Sequence, residues 1–205
     1  MKVAVVGGTG DFGLALAERL VAAGDDVVIG SRDPARAAEA AARTGARGAA
    51  NEDAVRGVDL VVLAVKAEAA LPTARALAAA IGTTPTLSVA SELRFSKSGV
   101  RPRDGARSLA EETAEILSAP VAAGLHSLAA ATLSAGPAEG DALVCGDDEE
   151  AKRLALELAA EVVTGRALDA GPLETARALE GLTAVIVNLN RRYKGHAGIR
   201  ITGLP

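Results

Sequence analysis

The first chemistry the sequence offers is anion binding by backbone. Gly8, Gly10 and Gly13 in "VVGGTGDFGLALAERL" satisfy G-x-G-x-x-G, directly after an apolar run and directly before a helical pattern. In that setting the spacing is a nucleotide fingerprint: the first glycine permits a tight turn, the second lets a pyrophosphate approach the backbone, and the third lets the helix close on the strand. The helix N-terminus then faces the phosphates with its unpaired amides. A strand-helix turn that needs glycine for packing alone is the plainer alternative. At roughly 20 residues beyond the glycines an NAD site usually carries an acid for the ribose hydroxyls. Here the second apolar run ends Gly30-Ser31-Arg32, with Arg36 one helical turn further on. A hydroxyl followed by a guanidinium suits a 2'-phosphate, which arginine grips through paired charge-assisted hydrogen bonds. NADP is therefore favoured over NAD, and the competing reading leaves both arginines as solvated helix-start residues. Asp33, just before Pro34, reads as a helix cap rather than a ribose ligand.

His126 closes the apolar run "APVAAGLHS", where strand-end loops line a cleft. It could bond a ring carbonyl or a phosphate or act as a proton donor, and the plainer reading has it satisfied by backbone. Lys66 could reach a substrate carboxylate or stand exposed in a loop. His196 follows "RRYK" in the tail, a basic run that could complement a helix C-terminus or meet an acidic ligand. Cys145 reads as a buried strand residue. Asp147 and Glu150 stand at capping-box spacing and read as helix-start chemistry, so no metal site is expected.

Short buried strands alternating with helices must position these groups. Lys2 to Val6 predicts a strand, Phe12 to Ala23 a helix, Val27 to Gly30 a strand and Pro34 to about Thr44 a helix. "GVDLVVLAV" is a continuous apolar run of the kind buried on both faces of a parallel sheet. "EAALPTARALAAAI" follows as a helix, with Pro72 tolerable only in its first turn. "PTLSVA" and "APVAAGLHS" add strands, and the alternation predicts an α/β fold, a Rossmann-type doubly wound parallel sheet. Residues 1–140 are expected to form the nucleotide-binding core, and 141–205 a small C-terminal lobe that packs on it and helps to close the cleft. Phe95 to Arg107 is polar and Gly/Pro-containing, a surface loop that could act as a lid. Leu179, Leu182, Val185, Ile186 and Leu189 recur at helical steps along the final helix, with Ala178, Ala184 and Val187 on its other side. A helix apolar nearly all round is buried on more than one face, which predicts a homodimer through it; the alternative covers it with the sheet and the lobe.

The bulk composition narrows the partners. The chain has 205 residues, 49% of them hydrophobic and 23% charged, with aromatics at only 1%, so its core must pack aliphatic and small side chains. A formal net charge of -4 gives no field to attract nucleic acid or an anionic membrane. The single cysteine fits a reducing compartment, and the opening "MKVAVV" runs into the glycine turn without a cleavage site, so a cytoplasmic protein is expected.

Several ordered segments together resemble a known family. "VVGGTGDFGLALAERL", "VVIGSRD", "GLHS", "VCGDDEEAKR", "RALDAGPLETAR" and "LTAVIVNLNRRYKGHAGIRITG" are similar to NADPH-dependent reductases of the deazaflavin coenzyme F420, over Lys2 to Gly203. The resemblance implies reversible hydride transfer between NADP(H) and the 8-hydroxy-5-deazaflavin ring of F420, stacked in one cleft. It implies that Thr9, Gly10, Asp11 and Phe12 contact the pyrophosphate and that Ser31, Arg32 and Arg36 hold the 2'-phosphate. It further places Ala67 and Leu71 over the nucleotide, Ala130 beside the nicotinamide, and Ala197 against the deazaflavin, with His126 a second substrate-binding candidate. Hydride transfer between stacked rings needs no side-chain nucleophile, so no catalytic residue is nominated. Two segments depart from the family pattern. Val65-Lys66-Ala67 stands where the family often has a proline and an aromatic, and Val89-Ala90-Ser91-Glu92-Leu93 where it often has prolines. Both lie at the predicted mouth of the cleft. They keep open an NADPH-dependent reductase of another flavin-like, imine or carbonyl substrate, or an NADP-sensing protein without turnover.

Overall fold

A computed structural model describes residues 1–204. In chain order the elements are β1 (Lys2–Val6), α1 (Asp11–Ala23), β2 (Asp26–Ser31), α2 (Pro34–Thr44), β3 (Arg47–Ala50), α3 (Asn51–Ala54), β4 (Leu60–Leu63), α4 (Ala67–Ile81) and β5 (Thr86–Ser88). There follow β6 (Leu93–Ser96), β7 (Gly99–Pro102), α5 (Leu109–Ala114), β8 (Val121–Gly124), α6 (Ala130–Ala135), β9 (Ala142–Gly146), α7 (Glu149–Val162) and β10 (Ala167–Asp169). A 3-10 turn at Leu173–Thr175 leads into α8 (Ala176–Tyr193).

Eight strands form one sheet in the order β10-β9-β8-β5-β4-β1-β2-β3. The strands from β3 through β8 are parallel, β9 pairs antiparallel with β8, and β10 runs parallel to β9. Strand order reverses between β1 and β4, and in an open α/β sheet the crevice at the carboxyl ends beside such a reversal is where ligands bind. The strands alternate as a doubly covered sheet requires. Val3 and Val5 pack with Leu16 and Leu20 of α1 and Leu154 and Leu158 of α7, while Ala4 and Val6 pack with Leu77 and Ile81 of α4 and Leu179 of α8. Cys145 is buried in β9 as expected, and burial pushes its thiol up to about 12, so it stays protonated.

Several expectations change. The sheet continues through β9 and β10, so the boundary expected between residues 140 and 141 runs between strands of one sheet. The segment read as a loop and lid contains the antiparallel hairpin of β6 and β7. Its backbone is clasped to α8: the Asn188 side chain accepts from the Val100 amide at 2.8 Å and donates to the Val100 carbonyl at 2.6 Å, and Arg177 donates to the Arg103 carbonyl at 2.7 Å. Such long-range clasps are invisible to local turn chemistry. The β3 strand, carrying only Arg-Gly-Ala-Ala, has no apolar run to announce it and forms by pairing with β2. Pro72 lies inside α4 beyond its first turn; it and Glu68, whose carbonyl loses the bond, are exposed to water. Asp148, one residue later than expected, caps α7 by accepting from the Ala151 amide at 2.8 Å, while Asp147 accepts from the Leu173 amide at 2.9 Å.

Candidate functional site

The glycine turn ends β1 at the switch point. Gly7 takes the left-handed conformation at φ 83°, so the positive-φ residue of the turn is Gly7 and not Gly8. Gly8 is required by crowding instead: a Cβ there would meet the Val5 carbonyl oxygen and the Ile29 side chain at 2.9 Å. At Gly13 a Cβ would stand 2.6 Å from the Gly7 oxygen and 2.8 Å from the Gly8 Cα, which is the close helix-strand approach the fingerprint demands. Gly10 differs. A Cβ there would meet only the Gly7 oxygen, at 3.4 Å, so its missing side chain leaves open space outside the turn. Gly10 is also the N-cap of α1 with no side-chain cap, which leaves the first-turn amides of Asp11 and Phe12 available to an anion beside Thr9.

At the end of β2 the Ser31 hydroxyl accepts from the Asp33 amide at 3.2 Å, and Asp33 caps α2 by accepting from the Ala35 amide at 2.9 Å. Arg32 and Arg36 are exposed, and neither has an ion-pair partner among the described residues. Two free guanidinium groups beside a buried hydroxyl form a receptive corner for a phosphate dianion.

A cavity of about 220 Å³ opens between these elements, lined by Phe12 of α1, Lys66 and Ala67 at the start of α4, Ser91 after β5, His126 after β8, and Thr183 of α8. That is less than the ~300 Å³ or more of a drug-sized ligand site. Lys66 is exposed at its edge. Leu71 packs behind the wall with Ala67, Ala90 and Leu109. The polar part of the lining is one connected set. Thr183 donates its hydroxyl to the His126 carbonyl at 2.8 Å, Ser91 Oγ and Thr183 Oγ1 stand 2.8 Å apart, and Ser91 Oγ lies 3.1 Å from His126 Nδ1. His126 is 6% exposed, and its Nε2 is buried with no protein partner. Burial holds the imidazole down at about 4, so it is neutral at physiological pH. Leu125, just before it, is a buried left-handed residue at φ 64°, a conformation that costs an L-residue about 1 to 2 kcal/mol. This strained turn ends β8 and sets the direction of His126.

Behind Thr183 on α8, Glu180 is 2% exposed and accepts from the Ala110 amide at 3.2 Å in the first turn of α5. Burial pushes its carboxyl up to about 7. The tail is strapped to the neighbouring sheet edge. Asp141 accepts from the Arg166 amide at 2.9 Å and the Ile201 amide at 2.7 Å, and these donors hold its carboxyl below the usual range. The Ala197 amide donates to Asn190 at 2.5 Å.

Phe12, Ala67 and His126 of the predicted residues thus meet in one cavity, while the glycine turn and the Ser31-Arg32-Arg36 corner lie outside its lining. Ala130 lines a second cavity, of about 530 Å³, shared with Asp11, and Ala197 lines neither. The sequence reading noticed Ser91 only as part of a departing segment and missed Thr183. Thr183 is a lone hydroxyl among apolar residues in "LTAVIV", and that isolation is the available signal; Ser91, beside Glu92 in "VASEL", carries none.

Residues 2–91 match a family described as NADP oxidoreductase, coenzyme F420-dependent. Over its whole length the chain is 37% identical to the F420-dependent NADP reductase of Methanothermobacter thermautotrophicus, covering 96% of that protein. It is 35% identical to the enzyme of the same name from Methanocaldococcus jannaschii, covering 99% of it. A solved structure from Arthrobacter sp. FB24, of a candidate F420-dependent NADP reductase, superposes over 100% of both chains with a TM-score of 0.83 at 26% identity.

Proposed function

The chain belongs to the coenzyme F420-dependent NADP oxidoreductase family, and from that premise we propose that it exchanges a hydride reversibly between NADP(H) and coenzyme F420. The observation that carries the reading is the single cavity whose one wall is the fingerprint helix, at Phe12, and whose other wall is the Ser91, His126 and Thr183 set. The residues fit both coenzymes. Open space at Gly10, uncapped amides at the start of α1 and free guanidinium groups at Arg32 and Arg36 suit pyrophosphate and 2'-phosphate, and the orphaned His126 Nε2 suits a polar ring edge.

When both are bound, the coenzymes supply the redox chemistry by direct transfer between stacked rings. The chain's part is placement. The turn from Gly7 to Gly13 fixes the nucleotide end, Ala67 lines the cavity with Leu71 packed behind it, and small side chains at Ala67 and Ala90 let rings approach the sheet edge. Phe12, Leu125 and Leu128 give the cavity an apolar lining against the reacting rings. Thr183 gives the C-terminal segment its share in closing the cleft.

Mixing protein, NADPH and oxidised F420 is expected to bleach the visible absorbance of the deazaflavin. Oxidation of NADPH by a flavin, imine or carbonyl acceptor but not by F420 would favour the divergent-substrate reading. On the same reading the protein works in the cytoplasm, where its buried, unpaired Cys145 would stay reduced.

The assembly on this reading is a homodimer. Val185 (53% exposed), Leu189 (41%) and Tyr193 (73%) recur at four-residue steps along one exposed stripe of α8. Large exposed apolar side chains clustered in this way mark an interaction surface. Light scattering should return twice the 20.5 kDa chain mass, and a monomer at micromolar concentration would remove the proposal.

A further inference from the structure

We propose that Ser91 is a positioning residue that fixes His126 as its Nδ1–H tautomer, so that Nε2 is a hydrogen-bond acceptor for an N–H or O–H of the ring bound in the cavity. The inference rests on the cavity being the ring site described above, and its first step follows from counting protons. The His126 carbonyl can only accept, so the Thr183 hydroxyl proton is committed to it, at 2.8 Å. The contact between Ser91 and Thr183 at 2.8 Å must then use the Ser91 proton, with Thr183 Oγ1 accepting. With its one proton engaged, Ser91 Oγ can only accept from the imidazole 3.1 Å away, and so Nδ1 carries the hydrogen. In a neutral ring Nε2 is then bare.

That bare nitrogen has no protein partner, and His126 is 6% exposed while lining the cavity. A buried acceptor left unmade is costly, and the deficit is removed by a ligand that brings a donor. An acceptor at Nε2 differs from the donor that a ring carbonyl or a phosphate would ask of His126. It also gives the departing segment a function: Ser91 stands in the stretch Val89 to Leu93, and its hydroxyl joins two elements far apart in the chain. The donor has two possible sources, the nicotinamide carboxamide or the imide and phenol groups of the deazaflavin.

Nitrogen NMR of histidine-labelled protein tests the tautomer without turnover. The chain has two histidines, and the exposed His196 serves as an internal reference for the assignment. At neutral pH His126 should show a protonated Nδ1 and a bare Nε2; a protonated Nε2 would overturn the proposal. Adding NADP+ alone, then oxidised F420 alone, should move the Nε2 resonance with one of them, which names the donor. If both bind, by nucleotide and deazaflavin fluorescence, and neither moves Nε2, the acceptor role is wrong. Ser91→Ala should mix the tautomers and weaken the ligand that moved Nε2 about five- to tenfold, the loss of one hydrogen bond, and Ser91→Thr should restore both. Unaltered tautomer and affinity in Ser91→Ala would equally overturn it. Loss of F420 bleaching in the parent protein, with the tautomer as stated, would count against the proposed reaction and leave this assignment standing.

Discussion

The two walls of the cleft are built from different materials. The nucleotide wall is mostly backbone: uncapped amides at the start of α1, a glycine turn that brings helix and strand to within van der Waals contact, and two unpaired guanidinium groups at its far end. The opposite wall is a chain of side chains from three distant segments, Ser91, His126 and Thr183, whose polarity is fixed by one another. Backbone recognition depends on fold and on the absence of Cβ atoms, so it leaves a local imprint in sequence. Side-chain recognition depends on tertiary juxtaposition, so it can be altered one residue at a time while the fold persists.

The largest effect is expected where the backbone wall is overfilled. Gly13→Ala drives a Cβ to 2.6 Å from the Gly7 oxygen and should lower stability by about 3 kcal/mol, abolishing NADPH binding as the turn opens. Gly10→Ala sharpens the point, because its Cβ enters open space: thermal unfolding should change little while NADPH binding falls at least tenfold. Equal stability losses in the two variants, measured by denaturant titration, would show that the turn is not divided into packing and binding glycines.

Next in size are two opposing pH dependences behind the side-chain wall. His126 titrates near 4 in the folded chain, against 6.5 when unfolded, so the unfolded state binds the extra proton between those values and stability falls as pH drops through the window. Glu180 titrates near 7 against 4.5, so the folded state holds the extra proton between those values and stability falls as pH rises from 4.5 to 7, then levels off. Each amounts to about 3 kcal/mol at full expression, at roughly 1.4 kcal/mol per pKa unit. The two offset one another between pH 4.5 and 6.5. Glu180→Gln should therefore expose a loss of stability on acidification, and His126→Asn a loss on going toward neutrality. Parallel pH profiles in the parent and both variants would remove the account of these groups.

Arg32→Ala is expected to weaken NADPH by roughly 1.5 to 3 kcal/mol and to leave NADH within a few tenths, since only NADPH loses a phosphate contact. Equal losses would mean that Arg32 serves something other than the 2'-phosphate. The smallest effect is expected outside both walls: Val185→Asp on the exposed face of α8 should shift a dimer toward monomer in light scattering while NADPH affinity stays the same.

How much of this was legible follows the same division. The glycine turn and the Asp33 cap could be read because each is a local pattern with a local cause. His126 could be placed at a strand end, but its proton could not, since that depends on Ser91 and Thr183, which lie 35 and 57 residues away from it. The hairpin was hidden for a related reason. Its sequence is polar and turn-rich, and it is ordered by Asn188 and Arg177 of α8, 88 and 74 residues from their partners. Ala197 rests on the resemblance alone; its amide donates to Asn190, and it lines neither cavity.

The central claim, direct hydride exchange across this cleft, is tested most directly with NADPH carrying deuterium at the transferring position of the nicotinamide. Incubated with the protein and oxidised F420 in ordinary water, it should yield reduced deazaflavin with the deuterium at the ring carbon that faces the nicotinamide. Reduced deazaflavin free of deuterium when either face of the nicotinamide is labelled, or no reduction while NADPH remains bound, would contradict the account.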